Sequence, residues 1–124
     1  MARILIVEDE LPIGLGLEED FRRQGHQAEI APDGEAGLRR GRSEAWDLIL
    51  LDVMLPKLDG YRVCRLLKFD QNYKNIPIIM LTAKTEEQAM ATGIRTGANQ
   101  YLTKPVEPER LLAAVAEELS KAQG

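Results

Sequence analysis

An α/β fold, built on a parallel sheet with helices over both faces, is what this sequence predicts from three observations. Five strand-like runs begin near Ile4, Gln27, Asp47, Ile76 and Asn99. The first, third and fourth are continuous and Leu-rich or β-branched, the pattern of strands buried on both faces. Helix-compatible stretches alternate with them, which implies right-handed crossovers that carry each helix over the sheet. At 124 residues and 44% hydrophobic content, residues 1–124 fit one domain with one core.

The elements follow in order. Ile4-Leu5-Ile6-Val7 forms the first strand. The first helix carries Ile13, Leu17 and Phe21 at four-residue spacing, accepts Pro12 in its first turn and stops at Gly25. A strand from Gln27 leads to a weakly patterned helix around Asp33 to Arg42. Leu48-Ile49-Leu50-Leu51 is the third strand, and Asp59 caps a third helix expected to bury Val63, Leu66 and Leu67. Asp70 to Asn75 is an ordinary connection to the fourth strand, Ile78-Ile79-Met80-Leu81. A fourth helix opens with the capping-box pattern Thr85-Glu86-Glu87-Gln88 and ends before Gly97. Gly93 inside it costs about 1 kcal/mol relative to alanine. Tyr101-Leu102-Thr103 closes the sheet. A fifth helix starts near Pro108 and lines Leu111, Leu112, Val115 and Leu119 along one face.

Composition removes several function classes. A net charge of −4 gives no overall basic field for nucleic acid. The densest basic stretch, Arg39-Arg40-Gly41-Arg42, reads as a solvated helix end. The lone cysteine, Cys64, excludes an internal disulfide, fits a reducing compartment and reads as a small core residue. No apolar run approaches the roughly 20 residues of a membrane span. The chain enters a strand at once, without a signal peptide, so a cytoplasmic protein is expected. His26 has no ligand partners nearby in sequence, and Trp46 reads as packing.

Five polar side chains sit just past strand ends: Glu8 and Asp9, then Asp52, Thr82 and Lys104. Ligands of open parallel sheets bind outside the carboxyl ends of the strands, so these residues converge on one edge. Glu8, Asp9 and Asp52 contribute −3 and Lys104 +1, leaving the pocket at −2. Carboxylates so close raise one another's pKa unless a cation intervenes. Oxygen ligands with open positions suit Mg²⁺, which binds one or two carboxylates together with a phosphate. Asp52 is then the natural nucleophile for an acyl phosphate. Phosphoryl transfer needs positioning and charge neutralisation above all. Mg²⁺ would take one phosphoryl oxygen, Lys104 a second, and the Thr82 hydroxyl with backbone N–H groups the third. Each residue alone has a plainer reading. Glu8-Asp9-Glu10 can cap the first helix, Asp52 can be a turn residue or N-cap, Thr82 a loop hydroxyl, and Lys104-Pro105 a turn. Together, in this order, they describe an aspartyl-phosphate site.

Val7-Glu8-Asp9-Glu10, Leu51-Asp52-Val53-Met54-Leu55-Pro56, Leu81-Thr82-Ala83 and the run Gly97 to Pro105 resemble the signatures of the response-regulator receiver domain, over essentially the whole chain. The resemblance implies a flavodoxin-like doubly wound (βα)5 fold, with a five-stranded parallel sheet of order 2-1-3-4-5. It implies a two-component signalling switch and not a turnover enzyme, with Asp52 phosphorylated by a sensor histidine kinase or phosphotransfer protein. Asp9 and Asp52 would ligate Mg²⁺ (Mn²⁺ can substitute), Glu8 directly or through water, and Met54 through its backbone carbonyl. Thr82 would rotate toward the phosphoryl group and Tyr101 would move inward, rearranging the surface of helix four, strand five and helix five for a downstream protein or an output domain. From the residues alone, Tyr101 is a half-buried strand aromatic. The small Ala83 allows close backbone approach, and Lys104-Pro105 is cis by resemblance. The domain itself would contact neither nucleic acid nor membrane, and would be a monomer or a weak phosphorylation-dependent dimer.

Three departures stand out. Asn99-Gln100 replace an acidic pair frequent in the family, and the fifth helix has few basic residues, which speaks against a dimer built on those acids. Met54 and Lys84 occupy positions that tune phosphate loss; a bulky Met54 would obstruct the attacking water. Trp46 stands where proline is frequent. Other readings fit less well. An aspartyl-phosphate phosphohydrolase would place Asp-x-Asp after the first strand and add a substrate cap. A flavin site needs a neutral or glycine-rich first loop, where this chain is acidic. A degenerate scaffold would not keep Glu8, Asp9, Asp52, Thr82 and Lys104 together.

Overall fold

Apolar runs become buried strands in a computed structural model that describes residues 1–83, 88 and 96–123. The strands are β1 (Arg3–Val7), β2 (Gln27–Ala31), β3 (Leu48–Asp52), β4 (Ile78–Thr82) and β5 (Gln100–Thr103). All are parallel, in the order β2-β1-β3-β4-β5. Every residue of β3 and β4 is buried, which is why their sequences do not alternate. The helices are α1 (Leu11–Arg23), α2 (Gly34–Ser43), α3 (Gly60–Lys68) and α4 (Pro108–Gln123), the last being the fifth of the predicted helices. The predicted fourth helix, with Gly93, lies outside the described residues apart from Gln88, and so does Lys84. No helix among the described residues is long and apolar enough to cross a membrane.

Two cores flank the sheet. Phe21 of α1 and Leu111, Ala114 and Val115 of α4 pack on one face with Ile4, Ile6, Leu50 and Leu81. Ala36 of α2 and Val63, Cys64 and Leu67 of α3 pack on the other with Leu5, Val7, Leu51 and Met80. Asp33 and Asp59 cap their helices, accepting from the Ala36 N–H at 2.8 Å and the Arg62 N–H at 3.0 Å. Burial raises the Cys64 thiol to about 11, in keeping with a core residue.

Two expected contacts turn outward. Leu66 is exposed, because the buried stripe of α3 runs Gly60, Val63, Cys64, Leu67 and Leu66 lies about 100° around the helix from Leu67. Ile13 is exposed for the same reason, since the buried position of the first turn passes to Gly14, against Ile30. The basic stretch is less solvated than expected: Arg40 is drawn into ion pairs with Glu29 at 2.6 Å and Glu44 at 2.9 Å.

Candidate functional site

Neighbouring parallel strands end level or one residue apart, so their last residues and the loops that follow share one edge. Glu8 follows β1 and Asp52 ends β3, both buried, while Asp9 is exposed beside them. One carboxylate oxygen from each of the three lies within 4.8 Å of the others. Thr82 ends β4 and is buried, and Lys104 follows β5. The Lys104 N–H donates to the Thr82 carbonyl at 2.8 Å, extending the β4–β5 ladder by one residue. That turn brings the Lys104 Nζ to 2.8 Å from Asp52 Oδ2. Four of the five predicted side chains therefore meet, and Thr82 joins them at the same edge through its carbonyl. The Lys104-Pro105 peptide is cis.

Bonding within the cluster is incomplete. Glu8 Oε2 accepts from the Glu10 N–H at 3.2 Å, whereas buried Glu8 Oε1 and Asp52 Oδ1 have no hydrogen-bond partner among the described residues. Leaving a buried acceptor unpaired costs about 1–3 kcal/mol, more when it is charged. Burial pushes the Glu8 carboxyl up to about 7 from its ordinary 4.5, with the nearby Asp52 charge adding to the rise and the Glu10 N–H opposing it. A hard dication answers both defects: it pairs the open oxygens and offsets the excess negative charge. An all-oxygen donor set of three carboxylates fits Mg²⁺ by that test.

The loop that carries the acid is held tightly. Gly60 donates to the Val53 carbonyl at 2.9 Å, and Gly34 to the Pro56 carbonyl at 3.2 Å. A Cβ on Gly60 would overlap the Asp52 carbonyl, and one on Gly34 the Leu58 carbonyl. Only glycine lets α2 and α3 come this close to the segment behind Asp52. Met54, two residues after Asp52, shares a cleft with Asp9, Asp59 and Tyr61, and its side chain is 77% exposed.

Thr82 and Tyr101 face the same side of the sheet, because Tyr101 pairs with Met80, two residues before Thr82. Tyr101 is half-buried against the α2–α3 core, and its hydroxyl bonds Thr96 Oγ1. Tyr61 of α3 brings its hydroxyl to 3.4 Å from Thr82 Oγ1, at the long end of hydrogen bonding. Neither Tyr61 nor Thr96 stood out in the sequence. The only signal for Tyr61 is its i,i+3 spacing to the buried Cys64, and none marks Thr96. Asn99 and Gln100 bond within the chain. Asn99 Oδ1 accepts from Ile78 N at 3.0 Å and Lys68 Nζ at 2.9 Å, and Gln100 Nε2 donates to Glu118 at 2.6 Å.

Comparison with known proteins gives one answer. Residues 4–116 match the response regulator receiver domain family. Over 121 residues the chain is 43% identical to the alkaline phosphatase synthesis transcriptional regulatory protein PhoP of Bacillus subtilis, covering 98% of this chain and 50% of that one. The chain spans about half the length of the curated relatives it matches. Among solved structures, the receiver domain of a signal transduction histidine kinase from Syntrophus aciditrophicus superposes with a TM-score of 0.90 at 32% identity, covering 98% of this chain and 92% of that one. The receiver domain of a sensor histidine kinase from Pseudomonas aeruginosa, with a magnesium ion coordinated in its active site cleft, gives 0.86 at 30% identity, covering 96% and 98%.

Proposed function

The chain belongs to the response regulator receiver domain family, and from that premise we propose that residues 1–124 form one receiver domain, phosphorylated on Asp52 in a Mg²⁺-dependent reaction. The observation that carries the proposal is the carboxylate cluster: three oxygens within 4.8 Å, two buried oxygens unpaired, and Lys104 on the remaining Asp52 oxygen. Glu8, Asp9, Asp52 and the Met54 carbonyl would hold the metal, which when bound supplies charge neutralisation for the phosphoryl oxygens.

In this reading an Asp52 carboxylate oxygen attacks the phosphorus of a phosphohistidine on a histidine kinase or phosphotransfer protein. The P–N bond breaks, the imidazole keeps the electron pair, and an acyl phosphate forms on Asp52. Lys104 then moves its charge from Asp52 Oδ2 to a phosphoryl oxygen, and the Thr82 hydroxyl donates to another. Buried Thr82 and Glu8 keep bulk water from that side of the acyl phosphate. Thr82 and Tyr101 relay the change to the strand-five edge, which controls an output domain or a separate protein in the cytoplasm. With Asn99 and Gln100 engaged inside the chain, we assign them no part in a charge-paired dimer.

Acetyl phosphate or phosphoramidate with Mg²⁺ should add one phosphoryl group, seen by intact-protein mass spectrometry, and none in Asp52→Asn. Equal labelling without a divalent cation, or labelling of Asp52→Asn, would refute the assignment.

A further inference from the structure

The phosphotransfer chemistry leaves unused a polar contact inside the α3 side of the core. Thr96 is 1% exposed, and its Oγ1 meets the Tyr101 hydroxyl. The same oxygen accepts the Ala98 N–H at 3.2 Å. The Thr96 carbonyl accepts from the Cys64 thiol of α3 at 3.5 Å. Thr96 is thus fixed at its side chain and at its backbone, between α3 and the edge strand β5. A hydroxyl buried without a partner costs about 1–3 kcal/mol, so a matched pair of hydroxyls favours the one orientation of the tyrosine ring that brings them together.

We propose that Thr96 is the positioning residue that holds Tyr101 turned toward the core, anchoring the aromatic half of the switch to α3 through Cys64. The proposal rests on the receiver reading, in which the orientation of Tyr101 and the phosphoryl state of Asp52 depend on each other. The anchor favours the inward ring before phosphorylation, so less of the transition remains for the phosphoryl group to drive. It also makes this preference a property of the residue at 96, a position that touches neither metal nor phosphate.

Fluorotyrosine NMR tests this on the whole chain, which has three tyrosines, with Tyr101 assigned from Tyr101→Phe. In Thr96→Val, a soluble paramagnetic reagent should broaden the Tyr101 resonance more strongly than in wild type. Mg²⁺-dependent beryllofluoride affinity should fall about 2- to 10-fold, the net effect of one hydrogen bond. Thr96→Ser, which retains the hydroxyl, should behave as wild type. In the Tyr101→Phe background, Thr96→Val should cause no further loss of affinity. An unmoved Tyr101 resonance in Thr96→Val, or an equal loss in the Tyr101→Phe background, overturns the proposal. Should Thr96→Val fail to fold, the Thr96 methyl and Ala98 amide resonances of Tyr101→Phe decide: displacement supports the contact and no displacement overturns it. The Tyr101 resonance is read without beryllofluoride, so its failure is separate from a wild-type protein that binds no beryllofluoride, which would overturn the receiver reading itself.

Discussion

At the amino edge of the sheet, Arg3 and Arg40 both pair with Glu29 and Glu44, at 2.6 to 3.1 Å. Trp46 lies between, with the Arg3 guanidinium 4.3 Å and the Arg40 guanidinium 5.4 Å from its ring, and its indole N–H on the Arg40 carbonyl. Two positive and two negative charges cancel there. At the carboxyl edge, three carboxylates face one lysine and two buried oxygens lack partners among the described residues. The strands, and most of the core, are shared. One end spends its charges on holding β1, β2 and α2 together, while the other keeps a surplus unmatched among the described residues. Poor internal satisfaction at one edge is what sets the candidate site apart from the rest of the sheet.

The largest expected effect comes from removing that surplus. Glu8→Gln should weaken Mg²⁺ binding by about 10- to 100-fold, measured by calorimetry. It should also stabilise the metal-free protein at pH 8 by about 1 kcal/mol, because a buried unpaired charge is gone. A variant that lost metal affinity and stability together would break the comparison.

A pH series sharpens it further, because the two edges respond with opposite sign. The Glu8 carboxyl titrates near 7 in the folded protein and near 4.5 unfolded. The folded state binds the extra proton across that window, so its contribution makes the metal-free protein less stable as pH rises from about 4.5 to 7. Mg²⁺ must displace that proton, so its affinity should be up to about tenfold weaker at pH 6 than at pH 8. Glu29 and Glu44 are held below their ordinary value, first by hydrogen bonds from Arg40 and then from Arg3. Their contribution is present above the ordinary value of 4.5 and fades as pH falls through the lowered one. Metal affinity that stayed flat from pH 6 to 8 would remove Glu8 from the site.

The smallest effect is expected at the amino edge. Arg40→Ala should cost about 1 kcal/mol in urea unfolding, less in high salt, through lost pairing and lost contact with Trp46. Mg²⁺ affinity should not change.

Legibility in the sequence follows the same division. Strands β1, β3 and β4 could be read directly because burial on both faces removes alternation, and the five candidate site residues because each stands within two residues of a strand end. The amino-edge ring could not be read: Arg3, Glu29, Arg40 and Trp46 are scattered over four segments, and a run such as Arg39-Arg40-Gly41-Arg42 says nothing of which guanidinium turns inward. Helix faces were legible only to within a residue. In α3, Leu66 and Leu67 are equally apolar, and the packing partner decides between them. The Tyr61–Thr82 and Thr96–Tyr101 contacts depend on side-chain reach across elements, which spacing alone does not encode.

Backbone oxygens of Leu58 and Asp52 lie where side chains on Gly34 and Gly60 would begin, so residues 53–59 have no room to bulge toward α2 and α3. Lys57 already takes a left-handed φ of 70° to close the turn. An exposed side chain such as Met54 can be exchanged without disturbing the fold of this loop, whereas its length is constrained. An insertion between Asp52 and Gly60 should draw the Asp52 carboxylate away from Glu8, Asp9 and Lys104, so this stretch should diversify by substitution and rarely by gain or loss of residues.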